Sequence, residues 1–109
     1  MSLTINIYYT GKNGSARAFA EEMVASGIVD AIRAEEGNEK YEYFFPMDDP
    51  ETLLLIDRWK DQLALDIHHK TEIMGQIAAL RKKYGPLVIM QIKIFMKFTS
   101  KLEFFSYIL

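Results

Sequence analysis

The 109-residue sequence contains no cysteine. This absence excludes disulfides, thiolate zinc sites, iron–sulfur clusters and cysteine nucleophiles as features of the chain. The N-terminus also lacks the basic and apolar regions of a targeting segment. Together these two absences predict a cytoplasmic protein.

A strong net charge and a long apolar run are also missing. The net charge is −2, and no stretch is basic enough to neutralise nucleic-acid phosphates. The most apolar stretch, residues 86–98, is interrupted by Gln91, Lys93 and Lys97. It is therefore shorter than the ~20 apolar residues that a membrane helix needs. We expect neither a nucleic acid nor a membrane as a partner.

The apolar content suffices for one packed domain. Apolar residues make up 50% of the sequence, and the length corresponds to a single domain. We predict that residues 1–98 form this domain and that residues 99–109, TSKLEFFSYIL, form an apolar C-terminal extension.

Residue patterns predict four strands and two helical regions. Alternation of side-chain character predicts strands at 3–9, 40–46, 53–59 and 87–98. Helical spacing predicts a first region from Ser15, divided at Gly27, and one long second helix from Gln62 to Tyr84, capped by Asp61. The predicted buried stripe of this long helix consists of Leu63, Ile67, Met74, Ile77, Ala78 and Leu80.

This order of elements predicts an α+β fold. A ferredoxin-like, four-stranded antiparallel sheet would carry all helices on one face. The opposite face would then expose Tyr and Phe side chains as a large apolar patch. A second copy of the chain would cover that patch, so we expect a homodimer.

Several common catalytic motifs are absent. The two histidines, His68 and His69, are adjacent and point about 100° apart around a helix, so they do not favour a metal site. The sequence contains no Gly-x-Ser-x-Gly motif, no Gly-x-Gly-x-x-Gly motif and no P-loop.

The most informative cluster joins the third strand to the second helical region. Trp59 ends the strand, and His68 lies two turns into the helix. An aromatic wall beside a proton carrier suits a flat aromatic ligand. In the alternative interpretation, Trp59 is a core residue and His68 is bonded to the backbone.

The strands supply further candidates. Asn6 and Tyr8 lie on the second face of the first strand, where they would contact a ligand, solvent or a dimer partner. Tyr43 shares a face with Tyr41 and Phe45, in the core or at an interface. Asp57 is a candidate for substrate binding or for a surface ion pair.

The segment from Tyr41 to Met74 resembles the antibiotic biosynthesis monooxygenase (ABM) superfamily, in particular its quinol monooxygenase-like members. That pattern has a glycine before a tyrosine-bearing strand, an Asp-Pro turn, a strand ending Glu-x-Trp, and a helix with Ala and then His. The matching positions in this sequence are Gly37, Tyr41, Asp49-Pro50, Asp57-Arg58-Trp59, Ala64 and His68.

The resemblance implies a dimeric α+β barrel that oxidises a quinol or polycyclic phenol with O2, without cofactor or metal. Such a protein must bind an aromatic ring, assist its deprotonation and exclude water. The implied catalytic residues are His68 as base or hydrogen-bond partner, Trp59 as pocket wall and Asn6 as polar anchor. The implied substrate-binding residues are Tyr8, Tyr43 and Asp57.

Three other functions remain open from the sequence. The first is a non-catalytic dimeric barrel that binds an aromatic ligand, because a fold alone does not specify an activity. The second is a haem-degrading oxygenase of the same fold, which would need a much larger cavity. The third is a ferredoxin-like module that binds another protein through its sheet.

Overall fold

The computed structural model describes residues 2–85 and the backbone of residues 88–97. The predicted C-terminal extension, residues 99–109, lies outside the described residues. The elements are β1 (Ser2–Thr10), α1 (Ser15–Ala25), α2 (Ile28–Arg33), β2 (Asn38–Phe44), β3 (Thr52–Trp59), α3 (Gln62–His69), α4 (Ile73–Lys83) and β4 (Val88–Lys97).

The four strands form one antiparallel sheet in the order β2-β3-β1-β4. This arrangement confirms the predicted α+β, ferredoxin-like fold. None of the helices in the described ranges is long and apolar enough to cross a membrane.

Alternation along β1 and β3 separates two faces of the sheet. The register pairs Leu3 with Trp59 and Ile5 with Asp57, so these side chains share the face that the helices cover. Leu53, Leu55, Asp57 and Trp59 are all buried there, as the parity of β3 predicts. The other face, here called the open face, carries the residues between them, such as Asn6 and Ile56.

The first helical region is divided at Gly27, as predicted. Gly27 has φ +86°, a left-handed conformation that a helix interior does not contain, and it separates α1 from α2. Both helices bury apolar faces against the sheet. The buried residues are Ala16, Phe19, Ala20, Met23, Ile28, Val29 and Ile32.

The prediction of one long second helix is wrong. Residues 70–72 form a turn that separates α3 from α4, and the Thr71 hydroxyl donates to the His68 carbonyl at 2.8 Å. The Asp61 cap is confirmed, because its carboxylate accepts from the Ala64 N–H at 2.8 Å.

The turn also explains why part of the predicted buried stripe is wrong. The side chains of Leu63 and Ile67 are 67% and 57% exposed, whereas Ala64, Leu65 and His68 are buried. The prediction extended one helical spacing across residues 70–72. Because a turn separates the two helices there, the buried faces of α3 and α4 do not follow a single spacing. On α4, Ile77 is buried and Met74 and Leu80 pack against the core as predicted, but Ala78 is exposed.

Candidate functional site

A cavity of about 190 Å³ lies between the helix-covered face of the sheet and helices α3 and α4. Apolar residues of β1, β3 and α4 form part of its wall. Its polar and aromatic lining consists of Tyr9, Tyr41, Asp57, His68, His69 and Arg81.

Trp59 and His68 form a stacked pair beside this cavity. Their ring centroids are 4.6 Å apart and their planes are inclined by 28°. Trp59 is fully buried at the end of β3, and the capping residue Asp61 starts α3 two residues later. This short connection folds His68 back over Trp59. Of these two residues, only His68 lines the cavity. Trp59 therefore supports the wall from behind instead of forming it.

Glu35 contacts the His68 ring at its Nδ1 atom. Its Oε2 atom lies 2.8 Å from His68 Nδ1, and the two side chains are 15% and 4% exposed. Glu35 belongs to the turn between α2 and β2. A carboxylate at Nδ1 fixes the orientation of an imidazole ring. His68 is therefore held in one position by Glu35 and Trp59.

Asp57 is a buried carboxyl group in the cavity wall. It is 5% exposed, and its Oδ1 atom has no hydrogen-bond partner within the described residues. Burial raises the pKa of Asp57 to about 6, and the negative charge of Glu35 acts in the same direction. The Trp59 indole N–H and His68 oppose the rise in this pKa, although Trp59 Nε1 makes no hydrogen bond of standard geometry with the described residues.

Two tyrosines, Tyr9 and Tyr41, line the cavity, and a third lies behind them. Burial raises the pKa of both Tyr9 and Tyr41, so their hydroxyls stay protonated. Tyr43, predicted to bind substrate, does not line the cavity. It packs edge-on against Tyr41, with ring centroids 5.7 Å apart, and against Phe19. Its contact with the site is through Tyr41.

Arg81 brings a positive charge to the cavity from α4. Its guanidinium carbon lies 5.5 Å from the centroid of the Tyr9 ring. Its Nε atom is buried and without a hydrogen-bond partner in the described part of the chain. The side chains that line the cavity therefore include a carboxyl oxygen and a guanidinium nitrogen that both lack hydrogen-bond partners among the described residues.

The structure does not bring Asn6 and Tyr8 to this cavity. Both lie on the open face of β1, where Asn6 is opposite Ile56 and Tyr8 is opposite Leu54. Asn6 Oδ1 is buried but unpaired among the described residues. The six predicted site residues thus divide into two groups. Asn6 and Tyr8 are on the open face, and the other four, Tyr43, Asp57, Trp59 and His68, are on the helix side of the sheet.

Sequence reasoning did not assign five residues to the site: Glu35, Tyr9, Tyr41, His69 and Arg81. A signal existed for the two tyrosines, because Tyr41 pairs with Asp57 and Tyr9 has the same parity as Ile5, which also pairs with Asp57. No local pattern could reveal Glu35, whose partner is 33 residues away. Among residues 2–85, no three His, Asp or Glu side chains are grouped to hold a metal ion.

Comparisons with known proteins agree with this fold. The model of the antibiotic biosynthesis monooxygenase family matches residues 2–80. YcnE of Bacillus subtilis, which carries a provisional monooxygenase name, is 30% identical over 69 residues, covering 63% of this chain and 70% of YcnE.

Two solved structures share the fold. A provisionally named antibiotic biosynthesis monooxygenase from Deinococcus radiodurans has a TM-score of 0.74 and 17% identity, covering 92% of this chain and 95% of that one. SnoaB, a cofactor-independent oxygenase from Streptomyces nogalater, has a TM-score of 0.69 and 15% identity, covering 92% and 96%. The family match and the similarity to YcnE support a monooxygenase-like function. The chain belongs to the antibiotic biosynthesis monooxygenase family.

Proposed function

We propose that the chain is a cofactor-independent monooxygenase that oxidises a quinol or related phenol with O2 in the cavity between the sheet and helices α3 and α4. The observation that carries this proposal is the cavity's composition. The buried carboxyl group of Asp57, whose Oδ1 atom has no hydrogen-bond partner among the described residues, lies beside an oriented imidazole, His68, in aromatic surroundings. Buried, electrostatically perturbed groups of this kind are typical of functional sites.

The proposed reaction needs only the substrate and O2. Deprotonation of a quinol hydroxyl gives a phenolate, which is oxidised by transferring an electron to O2. One oxygen atom of O2 then enters a ring C–H bond, and the other leaves as water. For a hydroquinone the product is a hydroxyquinone, and the substrate supplies all four electrons that reduce O2. The protein must bind the ring, receive the proton and exclude water.

The size of the cavity supports a substrate with one aromatic ring. Its volume of about 190 Å³ is slightly larger than the roughly 150 Å³ cavity known to hold benzene. A hydroquinone fits this volume better than a polycyclic phenol does, and a tetrapyrrole does not fit. The cavity therefore does not favour the haem-degrading alternative.

We also propose that the active form is a homodimer that pairs through the open face. Leu54 and Ile56 are half-buried on this face, and Phe44 is 39% exposed. Asn6 Oδ1, which is buried and has no hydrogen-bond partner among the described residues, would find a partner or a matching surface there. This arrangement assigns Asn6 and Tyr8 to the contact between copies.

Oxygen uptake by metal-free protein tests the activity. We expect uptake with one-ring quinols, and incorporation of one atom of isotope-labelled O2 into the product by mass spectrometry. His68→Asn should lower kcat/KM by about 100-fold, which is typical for loss of a proton-transfer or oxyanion partner. Lys70→Ala, an exposed neighbour, is the control. Saturable binding of quinols without uptake would instead support the non-catalytic, ligand-binding alternative.

Light scattering tests the dimer. Ile56 lies on the inner strand β3 and on the open face, so Ile56→Lys should yield a monomer. Leu63→Lys changes an equally apolar, 67% exposed residue on the helix side and should leave the mass unchanged. A monomeric unmodified protein would contradict this part of the proposal.

A further inference from the structure

We propose that Asp57 accepts the phenolic proton of the substrate, and that His68 is a fixed hydrogen-bond partner beside it. This inference rests on the proposed function. It specifies which side chain at the cavity performs the first chemical step, where the sequence resemblance implied His68 as either base or hydrogen-bond partner.

The position of Asp57 is the first argument. Its side chain is on the inner strand β3, lines the cavity and is 5% exposed. Buried carboxylates normally accept hydrogen bonds at both oxygens, yet Oδ1 has none from the described residues. Because Oδ1 is itself buried, a ligand O–H group that enters the cavity reaches this unused acceptor when the Asp57 side chain turns toward it. Protonation of that oxygen also removes a buried charge, which is energetically favourable.

The contacts of His68 are the second argument. Its Nδ1 atom is 2.8 Å from Glu35 Oε2, and one ring face is stacked on Trp59. Its backbone carbonyl also accepts a hydrogen bond from Thr71. These contacts orient the ring and already use one of its two nitrogens. His68 is therefore well placed to hold a substrate oxygen, while Asp57 Oδ1 accepts no hydrogen bond from the described residues.

Charged and titratable groups approach Asp57 from every element around the cavity. Burial is the largest influence and raises the pKa of Asp57 to about 6. Such a carboxylate is ionised at neutral pH and is a stronger base than an exposed one. The surrounding groups are Tyr9 from β1, Tyr41 from β2, Trp59 from β3, Glu35 from the α2–β2 turn, His68 and His69 from α3, and Arg81 from α4.

The step is a proton transfer. The phenolic O–H bond breaks, its proton bonds to Asp57 Oδ1, and the bonding electron pair stays on the phenolate oxygen. Arg81 supplies a positive charge in the same cavity, and its Nε atom has no partner within the described ranges. The phenolate is then oxidised by O2, and the proton leaves Asp57 when water is released.

The first test measures binding without turnover. Phenol is the probe, under anaerobic conditions, with affinity measured by calorimetry from pH 4.5 to 8. If ionised Asp57 accepts the phenolic hydrogen bond, affinity falls about tenfold per pH unit below pH 6, since only the ionised form binds. Asp57→Asn should show a flat profile, and Asp57→Glu should keep the pH dependence. A flat profile in the unmodified protein, or an unchanged one in Asp57→Asn, overturns the proposal.

The second test measures the pH dependence of kcat/KM for oxygen uptake. The unmodified protein should lose activity at acidic pH as Asp57 becomes protonated. Asp57→Asn should lower kcat/KM by about 100-fold or more. It should also abolish the acidic limb of the pH profile, that is, the fall in kcat/KM at acidic pH. His68→Asn should lower kcat/KM but keep the limb. If His68→Asn abolishes the limb and Asp57→Asn keeps it, His68 is the base and the inference is wrong.

The two tests separate this inference from the proposed function. Oxygen uptake that is insensitive to Asp57→Asn leaves the monooxygenase proposal intact and refutes the role of Asp57. Asp57-dependent phenol binding without uptake of any quinol refutes the monooxygenase proposal and supports Asp57 as the hydrogen-bond acceptor for the phenolic ligand.

Discussion

Gly37→Ala should destabilise the protein much more than a typical surface substitution does. Gly37 lies in the turn before β2 with φ +88°, against helix α3. A Cβ atom at this position would lie 2.6 Å from the Cβ of Ala64 and 3.1 Å from the Cγ of Lys60. The first distance is far below van der Waals contact, so the backbone would have to move.

The expected loss in the free energy of unfolding of Gly37→Ala has two parts. An alanine in a left-handed conformation costs about 1–2 kcal/mol. Overpacking against Ala64 adds about 1–3 kcal/mol, because Ala64 is 5% exposed and fixed on a helix. The Lys60 side chain can move aside at little cost. We therefore expect a loss of about 2–5 kcal/mol in the free energy of unfolding.

Gly27→Ala is the matched control for backbone strain. Gly27 has nearly the same φ, +86°, but no described atom lies within 4 Å of a Cβ at that position. We expect it to lose only the strain, about 1–2 kcal/mol. The difference between the two variants then measures the contact between Gly37 and Ala64.

Urea denaturation followed by fluorescence is a suitable assay, because Trp59 is the single tryptophan and is fully buried. The double variant Gly37→Ala, Ala64→Gly should be more stable than the sum of the single effects by about 1–3 kcal/mol, because it removes the contact. Equal losses in Gly37→Ala and Gly27→Ala would refute the argument that close packing at α3 requires this glycine.

Three further predictions concern residues around the site. Because burial raises the pKa of Asp57 to about 6, the unmodified protein should lose about 2 kcal/mol of stability as pH rises from 4 to 7, relative to Asp57→Asn. Urea denaturation of both proteins at several pH values checks this. If the free energies of unfolding of the unmodified protein and of Asp57→Asn changed in parallel with pH, the prediction would be contradicted. Asp61→Ala should cost about 1 kcal/mol in thermal unfolding because it removes the α3 cap, whereas Asp61→Asn should cost little. Trp59→Phe should cost about 1–3 kcal/mol by circular dichroism, since it leaves a void in a fully buried position; an unchanged stability would show that the core relaxes there.

Period-2 patterns predicted the sheet well because they are local. The parity of β3 placed Leu53, Leu55, Asp57 and Trp59 on one buried face, as the structure shows. Strand alternation requires no knowledge of distant residues. The same alternation placed Asn6 on the opposite face, so parity alone could have separated it from His68.

The break between α3 and α4 could not be predicted in the same way. Residues 70–72, Lys-Thr-Glu, contain no proline or glycine and are compatible with a helix. The hydrogen bond from the Thr71 hydroxyl to the His68 carbonyl competes with helix continuation, but it is recognisable only in the folded chain. The contact between Glu35 and His68 likewise depends on packing between distant segments.

The energetics of Asp57 argue for a chemical role over a structural one. Keeping this buried carboxylate ionised at neutral pH costs about 3 kcal/mol, judged from a pKa raised to about 6. That is a large fraction of the roughly 5–15 kcal/mol by which a domain is stable. An uncharged side chain of the same size would pack at lower cost, so packing does not account for Asp57. A ligand that donates a hydrogen bond or a proton to Oδ1 does account for it, and the expected gain in stability of Asp57→Asn with loss of activity would show both effects in one variant.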